Sequence, residues 1–95
     1  MNKERFAVIL DTIKANPACW NQGMWHSRCG TAHCIAGHAQ INAGKATNRI
    51  TAKEDGIKWL DLTYKEAKHL FSSERTIADF ERVLSEGFDK PETWL

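Results

Sequence analysis

The sequence predicts an all-α fold: a single small domain of about five short helices with an ordered Trp-rich loop. Three observations carry this. Apolar residues recur at helical spacing in several segments. Thr-x-x-Glu capping boxes open two of those segments, at Thr51 and Thr63. No segment alternates as a strand does, and Arg49-Ile50-Thr51 is too short to count.

The elements follow in order. Asn2 is a good cap for a first helix, with Phe6, Ile9, Leu10 and Ile13 on one face. Asn16-Pro17 ends it, because Pro disfavours helix in the residue before it. Residues 17–30 have no clear period; they hold Pro17, Trp20, Trp25, Asn21, Gln22, two glycines and His26, and read as an ordered loop. Thr31 is the expected cap of a second helix that runs through an Ala-rich stretch and stops near Gly44. Gly37 inside it costs helix stability, about 1 kcal/mol against Ala, so the small residues there imply close approach by a backbone or a ring. Thr51-Ala52-Lys53-Glu54 opens a third helix, followed by Trp59 and Leu60. Thr63-Tyr64-Lys65-Glu66 opens a fourth, with Ala67, Leu70 and Phe71 on one face. Thr76 opens a fifth, with Ile77, Phe80, Val83 and Leu84 inward and Gly87 as the stop. The tail from Asp89 to Leu95 is expected to pack back through Trp94.

A chain of 95 residues makes one domain, residues 1–95. A domain of this size hides only about 60–65% of its unfolded surface. Thirteen basic and twelve acidic side chains leave a formal charge of +1, which gives no electrostatic footprint for nucleic acid. The last two predicted helices suggest a helix-turn-helix pair, but their net negative charge argues against DNA reading. The run Phe6 to Leu10 is too short for a signal peptide and nothing approaches a membrane span, so a cytoplasmic protein is expected. Three cysteines fit a disulfide framework poorly, because the number is odd.

Several motifs stand out together. They are Trp20-Asn21-Gln22-Gly23-Met24-Trp25; Cys29-Gly30-Thr31-Ala32-His33-Cys34-Ile35-Ala36-Gly37; and Leu60-Asp61-Leu62-Thr63 with Glu66-Ala67 and Leu70-Phe71. Over residues 5–71 the chain resembles a group of small bacterial and phage proteins with the patterns W-x-Q-x-x-W, C-G-T-x-x-C-x-A-G and L-G-L-T-x-x-E-A-x-x-L-F. It departs from them at Asp61, where the pattern has Gly, and at His38, where Trp is common. The resemblance implies where a site lies and a phage or mobile-element origin. It implies no reaction.

Four chemistries can be written on these residues. His26, Cys29, Cys34 and His38 are zinc-ligand types, and Cys34 and His38 share a helix face at i, i+4 while His33 points away from it. Against zinc, the gap between Cys29 and Cys34 matches no common knuckle; the bland alternative makes Cys34 a buried small hydrophobe. A thiol enzyme would use Cys34, its pKa lowered in the first turn of a helix, with His33 or His38 as base and the Gly30 and Thr31 N–H groups as an oxyanion hole. That pattern is loose, since any neighbouring Cys and His satisfy it. An anion site would use the helix start at Gly30 and Thr31, with Trp20 and Trp25 stacking a base, Asn21 and Gln22 reading its edge, and Arg28 pairing a phosphate. The competing reading is a turn plus a cap, with the Trp rings in the core and Gln22 bonding loop backbone. A protein partner would be anchored by Met24, Trp25 or Trp94.

The expectation is therefore a non-enzymatic module that binds or sequesters a small anionic, nucleotide-like ligand at a helix N-terminus beside a Trp-rich loop. A zinc-stabilised protein-interaction module and a Cys–His enzyme are the alternatives. Whether the module forms a homo-oligomer is left open.

Overall fold

Asn2 accepts from the backbone N–H of Arg5 and starts α1, Lys3–Ala15. The computed structural model describes residues 1–24, 26 and 32–87. After α1 come a single 3-10 turn at Pro17–Cys19, then α2 (Ile35–Asn42), α3 (Ala52–Leu60), α4 (Tyr64–Leu70) and α5 (Ile77–Glu86). Among the described residues there is no β-strand, only two isolated bridges, so the fold is all-α, a single small domain. No described helix is long and apolar enough to cross a membrane.

The apolar face of α1 is the floor of the core. Phe6, Ile9, Leu10 and Ile13 are buried against Phe80 and Val83 of α5, with Leu60, Ala67 and Leu70 closing the cluster. Phe6 meets Phe80 edge-on at 6.1 Å, a favoured arrangement for two rings. At the rim, Arg5 donates to the carbonyl of Trp59 and lies over its ring at 5.1 Å.

Helices α2 and α3 pack through small residues. A Cβ added at Gly56 would lie 3.2 Å from Cα of Ala36 and 3.1 Å from the end of the Phe71 ring. The Ala-rich α2 is thus approached closely by the α3 backbone at Ala36, while the Phe71 ring abuts Gly56 of α3. Gly56 itself was not singled out from the sequence.

Local capping signals are mostly realised. Thr63 with Glu66 and Thr76 with Asp79 form complete reciprocal boxes, and Gly44 and Gly87 take positive φ just past their helices. Thr51 corrects one expectation: it precedes α3, but its side chain makes no capping bond there. Its hydroxyl instead accepts from Gln40 of α2. The expected tail contact through Trp94 lies outside the described residues.

Candidate functional site

The site grows from the stretch before α2. His33 N–H donates to the carbonyl of Cys19, and Asn21 N–H donates to that of His33, which pairs the two segments in parallel. Cys34 N–H donates to the carbonyl of Met24 at 2.9 Å. This pairing needs extended backbone, and Cys34 has φ −77° and ψ −179°. The expected helix from Thr31 is thus corrected. α2 begins at Ile35, with Cys34 as its cap residue, because tertiary pairing holds residues 33 and 34 extended.

That shift changes what the helix start offers. The Ile35 N–H points to Oε1 of Gln22 at 3.4 Å, and the N–H groups of Gly37 and Ala36 act on the Cys34 thiol. The positive end of α2 is already turned toward groups of the chain itself. Burial pushes the Cys34 thiol up, and those N–H groups only partly oppose it. The expected lowering of the thiol pKa by a first-turn position is thereby reversed, since Cys34 lies 2% exposed. A neutral thiol is a poor nucleophile.

Gln22 is buried and joins three parts of the fold. Its Oε1 accepts from Nε1 of Trp20 at 3.1 Å, and its Nε2 donates to the carbonyls of Leu70 and Ser72. Trp20 lies edge-on to Phe80 at 6.0 Å. Both residues serve the packing, which matches the structural alternative weighed for them. Asn21 is exposed, and its Oδ1 accepts from Gly23 N–H in a tight turn.

Beside them lies a cavity of about 160 Å³ lined by Gln22, Gly23, Met24, Cys34, Phe71 and Ser73. Its lining includes sulfur-bearing Met24 and Cys34, the aromatic Phe71, the amide Gln22 and the hydroxyl-bearing Ser73. Five of the lining residues, all but Ser73, belong to the motifs marked in the sequence. Phe71 and Ser73 come from the turn after α4.

A second arrangement was not foreseen. His26, His33 and His38 are all buried, and their rings meet in sequence, His26 to His33 at 4.9 Å and His33 to His38 at 5.2 Å. The Nδ1 atoms of His26 and His33 are 2.8 Å apart. His26 Nε2 is 2.6 Å from Oε1 of Gln40, and His38 Nε2 is 3.0 Å from the carbonyl of Cys19. Gln40 is fully buried; its oxygen accepts from Asn48 N–H, and its nitrogen reaches the Asn48 carbonyl, the Thr51 hydroxyl and a carboxylate oxygen of Asp55. Burial holds the pKa of His38 below its ordinary value, the Cys19 carbonyl opposes this, and the other two rings add to it.

This corrects the placement of His33. Helical geometry turned it away from His38, but residue 33 is not helical, and its ring lies between the other two. Gln40 was also missed; the available signal was a lone amide inside a helix otherwise buried from Ile35 to Ala39.

Of the zinc-ligand types, His26, Cys34 and His38 are described, and Cys29 lies outside the described residues. Among the described residues no group of three or more His, Cys, Asp or Glu is placed to hold a metal ion. Two histidine Nδ1 atoms 2.8 Å apart form a hydrogen bond, with one donor and one acceptor. Trp25, Arg28, Gly30 and Thr31 of the expected ligand site also lie outside the described residues. No protein-family model, no curated protein and no solved structure matches the chain.

Proposed function

We propose that this chain is a non-enzymatic binding module that takes the planar ring of a small, nucleotide-like ligand into the cavity beside Cys34. The observation that carries the reading is the cavity itself, about 160 Å³, at the junction where Gln22, Met24 and Cys34 meet Phe71 and Ser73. A cavity of about 150 Å³ accepts a single benzene-sized ring. A whole nucleotide is larger, so its sugar and anionic part would stay outside, toward solvent. The lining suits a base: the Phe71 ring and Met24 thioether offer polarisable surface, and Ser73 offers a hydroxyl. The start of α2 supports an anion less well, because its N–H groups face Gln22 and the Cys34 thiol.

A sequestering role follows from chemistry that the cavity does not favour: the thiol there is held neutral by burial. Cytoplasmic residence and a phage or mobile-element origin belong to the same proposal. The free thiols of Cys19 and Cys34 fit a reducing compartment.

The test is thermal unfolding of the full chain against a panel of free bases, nucleosides and nucleotides. A ligand at about 100 times its Kd adds about 2.7 kcal/mol of stability. The expected result is a stabilising shift with at least one base-bearing compound, lost in a folded Cys34→Leu variant whose longer side chain fills the space. A flat response across the panel overturns the reading.

A further inference from the structure

On the reading of the cavity beside Cys34 as a ring site, we propose that it selects pyrimidines over purines, admits the ring by its C5–C6 edge, and binds most tightly when C5 carries a methyl group. Size sets the first limit. The cavity holds about 160 Å³. A space of about 150 Å³ takes one benzene-sized ring. A pyrimidine is one such ring; a purine adds a second, fused to it.

Polar accounting sets the second limit. A glutamine amide has two hydrogens to give and two lone pairs to receive with. Both Gln22 hydrogens go to the carbonyls of Leu70 and Ser72, at 3.0 and 2.9 Å. Its oxygen accepts from Trp20 Nε1 at 3.1 Å and from the Ile35 N–H at 3.4 Å. Gln22 therefore lines the cavity with an amide already fully engaged. The Cys34 sulfur receives the N–H groups of Ala36 and Gly37. The Gly23 N–H donates to Oδ1 of Asn21, and the Met24 carbonyl accepts from the Cys34 N–H. A polar ring edge pushed against these groups loses its water and gains no partner. Each atom left unpaired in this way weakens binding about tenfold.

An apolar edge avoids that loss. In a pyrimidine nucleoside the C5–C6 edge is the one that carries no polar atom. Entry by this edge leaves the C2 carbonyl and N3 facing the mouth, where water satisfies them. The surface inside suits such an edge, because the Met24 thioether, the Cys34 sulfur and the Phe71 ring are polarisable. Ser73 is exposed, which puts its hydroxyl at the rim with the polar side of the ring. Every ring C–H of a purine lies between two ring nitrogens, so no purine edge enters without burying one. A methyl group on C5 adds one more buried carbon, which strengthens binding about fourfold.

The test is calorimetric titration of the full chain with thymidine, deoxyuridine, deoxyadenosine and deoxyguanosine, joined to saturation-transfer NMR on the bound nucleoside. Thymidine is expected to bind most tightly, with deoxyuridine about fourfold weaker and both purines at least about tenfold weaker than thymidine. Transfer is expected to be strongest at H6 and the C5 methyl group. A purine that binds as tightly as thymidine, no gain from the methyl group, or transfer strongest at the sugar overturns the pyrimidine proposal and leaves the ring-site reading standing. Binding of none of the four overturns the pyrimidine proposal, and a flat thermal response across the wider panel of bases, nucleosides and nucleotides overturns the ring-site reading with it.

Discussion

Gln22 donates to the carbonyl of Leu70 at 3.0 Å, across 48 residues of sequence. The same amide nitrogen reaches the carbonyl of Ser72, and the amide oxygen accepts from Trp20. One buried side chain thus ties the Trp-bearing loop to the end of α4. It also forms a wall of the cavity.

Replacing Gln22 with Met keeps its length and removes every one of those bonds. The Leu70 carbonyl and the Trp20 N–H are left without this partner. Unsatisfied buried groups cost about 1–3 kcal/mol each, so the variant should lose about 3 kcal/mol overall. Urea denaturation checks this, and an unchanged midpoint would show that the amide does not hold the loop.

Cys34 should resist alkylation at neutral pH in the folded protein. Its thiol is buried and its pKa is raised, so both access and thiolate fraction are low. Half-buried Cys19 is the internal comparison. Peptide mapping by mass spectrometry should find Cys34 modified at least about tenfold more slowly than Cys19, with the protection lost in denaturant. Fast native labelling of Cys34 would revive the thiol chemistry set aside above.

Stability should fall as the solution is acidified below about pH 6.5. His38 is held below its ordinary value of 6.5, chiefly by burial. His69 is shifted the same way, by burial first and then by Arg75, with Asp79 opposing. In each case the unfolded chain binds the proton more readily than the folded one. The stability they allow is complete above the unfolded value and declines as pH falls from there toward the folded value. The urea midpoint at about pH 5 should therefore lie below that at about pH 7.5, and His38→Gln should flatten the difference.

Asp61 is the one described non-glycine residue with positive φ, at 55°, where α3 ends. It also places a negative charge at the negative end of that helix. Glycine removes both penalties at some cost in unfolded-chain entropy. Asp61→Gly is expected to stabilise the chain by about 0.5–1 kcal/mol. A lower melting temperature would mean that the Asp61 side chain has a role of its own.

Much of the fold was legible because its signals are local. Asn2, Thr63 and Thr76 each bond a backbone group three residues on, and Gly87 needs only its own backbone to end α5. Thr51 shows the limit. Its sequence context is the same as that of Thr63, yet Gln40 reaches its hydroxyl from eleven residues away and the box does not form. The site failed in the same way. Trp20, Gln22 and Cys34 were marked as important, but the helix was begun three residues too early. Nothing in Thr31 to Cys34 announces that Cys19 and Met24 will accept the N–H groups of His33 and Cys34.

The sequence by itself determined the class of the fold, most of the helix ends and the apolar faces, since those depend on propensity, caps and periodicity within a few residues. Only the tertiary structure decided that α2 starts at Ile35, that Gln22 is a tie between loop and α4, and that three histidines meet around His33. Each of these rests on hydrogen bonds or ring contacts between distant segments. Their strength comes from shared burial, which no local pattern encodes.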